Sequence, residues 1–354
     1  MKIIGVFKTL FALLLATESV MANESDLQGF QLHWDNDFFA KENHDRWYTN
    51  GIRATWSYKK KEAENPLSRN YQETSKWLQG EDSQPTLSYS IGQLMYSPAE
   101  IGISAPQPNN RPWGAYLFAS VTAHSYVPSS KEEGAAKDFR ATELKIGLTG
   151  PSAQGQPVQT AIHKIVSSTR PEGWHYQLKE RLGVQLSHSR ISRIHDLPGK
   201  EYVGAQWGLG ATVGTLRTLG HINAALVVGN LKNSNSPLLI SNEGDYVAQD
   251  LENREQFKRP FAFLATSLTG VASNYFVDGA TPYGRPDIKR KAGYTIVQWG
   301  VSIPMQKWAG KTWPRLTYTQ STRSPEFTSP AVNTKESWQR WGTLTAMWDF
   351  DDCP

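Results

Sequence analysis

Two groups of polar residues, far apart in the sequence, carry the side chains that ester hydrolysis needs. The first is Asn36-Asp37, with Thr49 a short loop later. Their amide, carboxylate and hydroxyl oxygens are ligands that a hard cation such as Ca²⁺ prefers. The second is Gln159 and His163, four residues apart. A neutral imidazole can take a proton from water near neutral pH, and a bound cation can polarise a carbonyl group.

Both groups also have plainer interpretations. Consecutive polar residues such as Asp35 to Asp37 are typical of a solvated hairpin tip, and His163 fits a satisfied polar residue beneath a loop. The chain contains no Gly-x-Ser-x-Gly sequence. Ser167 and Ser168 follow the histidine but read as helix-end residues. Water is therefore a better supported nucleophile than serine.

The composition favours an exported β-protein. Residues 1–22 have a basic start, an apolar core and a cleavage site at Ala22, which predicts a signal peptide and leaves 23–354 as one domain. No later segment has the roughly 20 apolar residues of a membrane helix. Hydrophobic residues make up only 39%, yet there are 13 Trp, 14 Tyr and 13 Phe. These features favour an outer-membrane β-barrel, with a soluble periplasmic β-protein as the alternative.

Charge and cysteine content exclude two other classes. The formal net charge is +4 without a basic block, so we expect no nucleic-acid partner. Cys353 is the single cysteine of the sequence, so no internal disulfide can form.

Alternation of apolar and polar residues predicts twelve strands, an even number as bacterial barrels require. They cover residues 30–35, 52–58, 86–91, 113–126, 138–149, 178–194, 200–216, 219–230, 258–273, 291–307, 314–323 and 341–350. If the N-terminus lies in the periplasm, segments 36–49, 96–113 and 150–180 meet at the outer end. Residues 60–84 would then form an unusually long periplasmic loop, for which a small helix is one solution.

Residues 154–168 interrupt the strand pattern and predict a helix. Pro157 suits its first turn, and Gln159 and His163 fall on one face. An apolar stripe follows at helical spacing: Val158, Ala161, Ile162 and Ile165. A short helix in an outer loop can fold over a barrel mouth as a lid or plug.

Several spaced motifs resemble the lipid A 3′-O-deacylases, the LpxR-type outer-membrane enzymes. The matching segments are DNDFF (35–39), DRWYTNG (45–51), IGQLMYSP (91–98), RPWGAY (111–116), GLTGPSAQGQPVQTAIHKI (147–165) and GWHYQLKE (173–180). They agree in order over roughly residues 30–215. The rest of the chain is similar only as a barrel.

The resemblance implies a transmembrane antiparallel β-barrel of about twelve strands whose site faces the outer leaflet. It implies Ca²⁺-dependent removal of the 3′-acyloxyacyl chain from lipid A. The residues it implies for the site are Asn36, Asp37 and Thr49 as catalytic residues and metal ligands, Glu180 as a further metal ligand, and Gln159 and His163, with the histidine activating water. Strict alternation points Asn36 outward and Asp37 inward, which a bulge or a strand end must relieve.

Lipid A carries phosphates, so a basic rim is expected near the site. Candidates, each of which could equally be a solvated surface charge, are Lys41, Arg46, Arg53, Arg111 and Lys164. We expect a monomer. One alternative is a phospholipase A-like barrel, which needs a serine beside His163 and typically a dimer. The other is a non-enzymatic pore or structural barrel.

Overall fold

The computed structural model describes residues 27–40, 46–59, 65–128, 137–165, 167–194, 201–231, 258–305, 314–330 and 338–350. Twelve strands in these ranges form one closed antiparallel barrel, in which each strand pairs with the next barrel strand and the last pairs with the first. The fold class and the number of strands predicted from the alternation are thus confirmed. The predicted signal peptide, residues 1–22, and Cys353 lie outside the described residues.

The barrel strands differ from the predicted segments at their ends, by up to six residues in β3. They are β1 (Leu27–Asn36), β2 (Trp47–Tyr58), β3 (Thr86–Ser97), β4 (Gly114–Pro128), β5 (Lys137–Thr149), β6 (Leu182–Ile194), β7 (Val203–Gly214), β8 (Arg217–Gly229), β9 (Phe261–Asn274), β11 (Gly293–Pro304), β12 (Arg315–Arg323) and β14 (Gln339–Asp349). The two-residue strands β10 (Lys289–Arg290) and β13 (Phe327–Thr328) pair with each other in a separate small sheet.

The helices of the described residues lie in the connections. They are α1 (Pro66–Gln79), α2 (Gly155–Ile165) and the single turn α3 (Tyr275–Asp278), with 3-10 turns at Asp37–Phe39, Gly150–Ala153 and Trp174–Tyr176. Helices predicted within 60–84 and 154–168 are therefore both present. We call the end where β1 ends and β2 begins the site end, and the opposite end the α1 end. The described parts of segments 36–49, 96–113 and 150–180 all lie at the site end, as predicted.

The barrel buries polar residues and exposes apolar ones. Ile222 and Leu226 of β8 are 64% and 52% exposed, whereas Gln31, His33 and Asp35 of β1 are buried. A protein in water would show the opposite pattern. The alternation therefore gives an apolar outer face that suits lipid and a polar lumen. Among the described residues, none of the helices is both long and apolar enough to cross a membrane.

Apolar side chains fill the lumen at the site end. They form one buried cluster: Tyr48, Leu94, Tyr96, Tyr116, Phe118, Leu178, Leu216, Phe276, Ile296 and Trp341. Leu178 comes from the connection before β6, and Phe276 comes from α3. Together with Leu216 of the turn between β7 and β8, these two residues complete the cluster, so the site end of the lumen is packed with side chains.

Asp35 ties β1 to both of its neighbours inside the lumen. Its Oδ2 accepts a hydrogen bond from Tyr48 of β2 at 2.5 Å, and its Oδ1 accepts one from Thr343 of β14 at 2.6 Å. His33 Nε2 lies 3.0 Å from the same Oδ1. The end of β1 is therefore fixed from both sides immediately before Asn36.

Replacing the outer-face residue Leu226 with arginine is expected to destabilise the barrel. A cation on the lipid-facing side of a strand costs about 2–4 kcal/mol at the middle of the membrane and less toward the interfaces, so for Leu226, three residues from the end of β8, we expect a loss below this range. Urea unfolding of Leu226→Arg in phospholipid vesicles measures this loss. Leu226→Met, which keeps an apolar side chain of similar size, is the matched control and should unfold like the unaltered protein. Equal stability of both variants would contradict a lipid-facing position for Leu226.

Candidate active site on the outer face of the barrel

Strand register shows which side chains near the site end point away from the lumen. Ile52 of β2 is 41% exposed, its partner on β3 is Gln93, and Gln93 pairs with Leu117 of β4. Directly paired residues point to the same face of a sheet, so all three lie on the outer face. Met95 and Ala115, a second pair two residues closer to the site end, lie on that face as well.

Helix α2 lies against this outer face. Gln93 Nε2 donates a hydrogen bond to the carbonyl of Ala153, just before α2, at 2.5 Å. Met95 and Ala115 pack with Ala153 and Trp174 in a buried cluster. The prediction that this helix covers the barrel mouth as a lid or plug is therefore wrong. The apolar cluster already fills the mouth of the barrel. The outer face of β3 and β4 provides an apolar surface against which the helix packs and a hydrogen-bond donor, Gln93.

The faces of α2 are reversed relative to a helix in water. Gln159 and His163 are buried, with 2% and 7% of their surface exposed. Ala161 is exposed, and Ile165 is 82% exposed. An amphipathic helix in water turns its apolar stripe toward the protein. Here Gln159 and His163 are buried, whereas Ala161 and Ile165 of the apolar stripe point away from the protein, as expected where lipid surrounds the helix. Val158, at the start of the stripe, packs against the cluster on the outer face.

Hydrogen bonds orient both polar side chains of α2. His163 Nδ1 lies 2.5 Å from the carbonyl oxygen of Thr169. Because a carbonyl oxygen can only accept, Nδ1 carries the proton, and Nε2 holds the lone pair of the neutral ring. Gln159 Oε1 accepts a hydrogen bond from Trp174 Nε1 at 2.8 Å. The imidazole thus has the tautomer that a general base needs, and the glutamine has a defined amide orientation.

Asn36 ends β1 with its side chain on the outer face. Its Nδ2 donates to Asn50 Oδ1 at 3.1 Å, and the same oxygen accepts a hydrogen bond from Trp34 Nε1 at 2.8 Å. Its Oδ1 accepts from the backbone N–H of Phe38 at 2.8 Å and caps the 3-10 turn that begins at Asp37. Asn36 therefore keeps the outward direction that strict alternation predicts, and the end of the strand releases Asp37 from it.

Asp37 and Thr49 lie beside Asn36, where β1 ends and β2 begins. Asp37 is 3% exposed, and its Oδ2 accepts a hydrogen bond from the backbone N–H of Arg46 at 3.2 Å. Thr49 lies where the register of β2 and β3 shifts, and its Oγ1 is 2.6 Å from Ser97 Oγ. Ser97 follows Met95 by two residues and shares its face. The Thr49 hydroxyl group therefore also reaches the outer face.

Packing across β3 connects the two halves of the predicted site. Asn50, the partner of Asn36, is paired in register with Met95. Met95 packs in one cluster with Trp174, which donates its hydrogen bond to Gln159. The residues where β1 ends and β2 begins therefore lie on the same continuous part of the outer face as α2, at the site end.

Glu180 lies at the base of the α2 loop. Its exposed carboxylate accepts a hydrogen bond from Ser152 Oγ at 2.7 Å, in the turn before α2. Among the residues that the structure describes, no group of three or more His, Cys, Asp and Glu side chains could hold a metal ion. A cation at the β1–β2 corner would therefore depend on the Asp37 carboxylate and on the amide and hydroxyl oxygens of Asn36 and Thr49. This all-oxygen donor set suits Ca²⁺.

The prediction of a basic rim is wrong for Arg53 and Arg111, which are buried. Arg53 points into the lumen, where its Nη2 lies 2.7 Å from Glu143 Oε1. Arg111 is fully buried, pairs with Glu326 and stacks on the Tyr96 ring. Both cations are held inside the protein because a carboxylate compensates each buried charge.

The remaining rim candidates differ in position. Arg46 places its guanidinium 4.6 Å from the centre of the Trp47 ring. Lys164 is exposed on α2. Lys41 lies outside the described residues.

Three polar residues of the outer face were missed in the sequence: Asn50, Gln93 and Ser97. Each lies at a position where alternation predicts a lipid-facing side chain, and each is buried. A polar group facing lipid is costly unless it is hydrogen-bonded. The signal that could have revealed them is therefore a polar residue in phase with Ile52, Leu117 and the other outward apolar side chains.

A closed twelve-stranded antiparallel barrel with an apolar outer face and a polar lumen defines this protein as an outer-membrane β-barrel. The chain belongs to the LpxR family: the family model described as "Outer membrane protein LpxR" matches residues 9–350. The family description and the barrel agree on an outer-membrane location.

One solved structure of the same family has the same architecture. LpxR from Salmonella typhimurium matches with a TM-score of 0.65 at 17% identity, covering 91% of this chain and 100% of that chain. At this level of identity the likeness shows a shared fold. The translocator domain of autotransporter NalP from Neisseria meningitidis matches with a TM-score of 0.39 at 10% identity, covering 96% of this chain and 94% of that chain. No curated protein sequence matches the chain.

Proposed function

We propose that this protein is a lipid A deacylase of the outer membrane, which hydrolyses the 3′-acyloxyacyl ester of lipid A with a water molecule activated by His163. Membership of the LpxR family supports lipid A deacylation in general. The observation that supports the finer assignment is the burial of Gln159 and His163 on one side of α2, where Gln159 is bonded to Trp174 of the cluster on the outer face. We propose that this face lies in the outer leaflet and that the protein acts as a monomer.

The position of the site suits a substrate that resides in the membrane. A lipid that diffuses in a leaflet meets the outer face of a barrel directly, whereas a lumenal site would require the lipid to leave the bilayer. Asn36 and Thr49 point to that outer face, and the exposed apolar side of α2, with Ile165, would border the acyl chains. Because Asn36 points to the outer face, we propose that the substrate enters the site laterally from the membrane.

The proposed reaction needs one proton acceptor. Nε2 of His163 takes a proton from water, because the Thr169 carbonyl holds the other ring proton on Nδ1. The water oxygen then bonds to the ester carbonyl carbon, and the bond to the sugar oxygen breaks. The histidine returns its proton to this leaving oxygen. The products are a released fatty acid and a free 3′ hydroxyl group on lipid A.

The oxyanion that forms in this step needs stabilisation. Gln159 presents its amide group with the carbonyl end held by Trp174, so the N–H₂ end is the donor that could orient the water or bind the oxyanion. Ca²⁺, held by Asn36, Asp37 and Thr49 with Glu180 as a further candidate, would polarise the ester carbonyl. The Gln159 N–H₂ group and Ca²⁺ would each place positive charge beside the oxyanion.

The alternatives have less structural support. The apolar cluster that includes Leu178 and Phe276 fills the lumen at the site end, which opposes an open aqueous pore. Ser167 and Ser168 have exposed side chains, and the interaction of Ser168 with His163 is a backbone hydrogen bond of 2.9 Å. A phospholipase-like nucleophile would need a serine hydroxyl group directed at the imidazole.

Mass spectrometry of lipid A tests the proposal directly. Cells that produce the protein should contain lipid A lighter by the 3′-acyloxyacyl unit, and matched cells that produce the His163→Ala variant should not. Both proteins should reach the outer membrane in similar amounts, because His163 lies outside the barrel strands. Unchanged lipid A together with released lysophospholipid would instead indicate a phospholipase and would overturn the assignment.

A further inference from the structure

Helix α1 lies on the outer face of the barrel at the end opposite the site. Glu143 of β5 points into the lumen, where it pairs with Arg53, so its neighbour Thr142 points outward. Tyr71 of α1 donates its hydroxyl proton to the Thr142 carbonyl at 2.8 Å. Gln79 of α1 donates to the carbonyl of Ala123, the strand partner of Thr142, at 2.8 Å. The long connection between β2 and β3 therefore folds back along the wall and does not cross the opening.

The wall beneath α1 is polar. Ser125 Oγ donates to Gln79 Oε1 at 2.6 Å, and Arg140 donates to the Gln79 carbonyl. Asp138 accepts hydrogen bonds from Arg140 and Arg190. Such charged groups on the outer face of a barrel are costly next to hydrocarbon. Helix α1 covers Ser125 and Arg140 with its own polar side and places a different surface outside them.

That outside surface has an apolar flank and a charged flank. At 3.6 residues per turn, the face against the wall holds Ser68, Gln72, Ser75 and Gln79, which are all buried. Leu67, Tyr71 and Leu78 project to one side, whereas Arg69, Glu73 and Lys76 project to the other. Leu67 is 79% exposed and Trp77, at the outermost point, is 85% exposed.

An aromatic band of the wall continues to this helix. Phe30 of β1 packs against Trp56 of β2 and Trp348 of β14, at ring distances of 5.4 and 5.6 Å. Tyr89 of β3 is paired in register with Trp56, and its hydroxyl group lies 2.8 Å from Ser68 Oγ of α1. Aromatic girdles of this kind mark the boundary between hydrocarbon and water around a barrel. Helix α1 is therefore attached at the depth of the membrane interface.

We infer that α1 is an interfacial helix that inserts its Leu67–Trp77 edge into the phospholipid interface of the leaflet at the α1 end. The apolar flank would bury into the boundary of headgroups and acyl chains, and the charged flank of Arg69 and Glu73 would stay in water. The indole of Trp77 suits this boundary because its ring is apolar and its N–H is polar. The inference does not depend on the proposed hydrolysis.

Site-directed spin labelling tests this placement. A Cys353→Ser chain contains no cysteine and serves as host for single cysteines at Leu67, on the apolar flank, and Arg69, on the charged flank. Each labelled protein is reconstituted in phosphatidylcholine–phosphatidylglycerol vesicles. Oxygen concentrates in the membrane, whereas a nickel chelate stays in water. We expect the ratio of oxygen to nickel accessibility to be several-fold higher for Leu67→Cys than for Arg69→Cys.

Two further measurements check the folding of each variant and a second position on the apolar flank. Heat-dependent migration on gels shows that each labelled barrel is folded, and Leu78→Cys replaces Leu67→Cys if the latter fails to fold. The same high ratio at Leu78→Cys would support the insertion of this flank. Equal, water-like ratios on both flanks of folded protein would overturn the inference and leave the Leu67–Trp77 edge as a water-facing surface.

Discussion

Replacing His163 with alanine is expected to lower kcat for lipid A by about a hundred- to ten-thousand-fold, the contribution of a positioned general base. The imidazole is buried on α2, and its Nδ1 proton is held by the Thr169 carbonyl. Alanine removes the proton acceptor and leaves the hydrogen bonds of the barrel strands intact. Purified protein in detergent micelles, with release of fatty acid as the readout, gives kcat and KM separately.

The chain offers matched controls within the same loop. His175 is exposed and its ring packs against Tyr176, so His175→Ala should retain turnover. Ser167→Ala and Ser168→Ala should also retain it, since water is the proposed nucleophile. Full activity of His163→Ala would exclude the proposed mechanism, and loss of activity in Ser168→Ala would indicate a serine enzyme.

Removal of calcium is expected to abolish turnover while the barrel stays folded. The proposed ligands Asn36, Asp37 and Thr49 lie at the end of a strand and on the outer face, whereas the barrel depends on its closed set of backbone hydrogen bonds. EDTA should stop hydrolysis by the purified protein, and added calcium should restore it. Turnover that persists in EDTA would refute the metal role.

Substitution of Asp37 should reproduce this loss in part. Asp37→Ala removes the carboxylate of the proposed ligand set and should lower kcat by about a hundredfold or more, the cost of one lost oxyanion-stabilising group. It should also raise the calcium concentration needed for half-maximal activity. Asp287, an exposed residue of the loop after α3, is the control, and Asp287→Ala should behave like the unaltered protein. An unfolded Asp37→Ala protein would mean that the residue is structural.

The strands could be predicted from the sequence because lipid and lumen impose opposite polarities on alternate residues. Phe30, Leu32 and Trp34 alternate with buried polar residues in β1, and the same period recurs around the barrel. The outward direction of Asn36 follows from the same count. The position of Asn36 on the same face as α2 could not be predicted. Alternation assigns a face to a residue but does not show that α2 covers that face.

The position of α2 could not be predicted, since helical periodicity does not identify the medium around a helix. The stripe of Val158 and Ile165 indicates an apolar face, and in water that face would turn inward. Beside lipid, Ala161 and Ile165 turn outward while Gln159 and His163 are buried. Val158 of the stripe packs toward the barrel. Arg53 escaped prediction for a related reason: its partner Glu143 lies 90 residues away in the sequence and becomes a neighbour only in the closed barrel.

The pairing of β1 with β14 places the candidate site at the seam where the two ends of the barrel meet. Asn36 faces Gly342 in register, and Asp35 accepts its hydrogen bond from Thr343 one residue away. The surroundings of Asn36 are thus contributed in part by the last strand to be synthesised. A chain whose first and last strands have not yet joined would lack one wall of the site. Hydrolytic competence would then require closure of the barrel between β1 and β14.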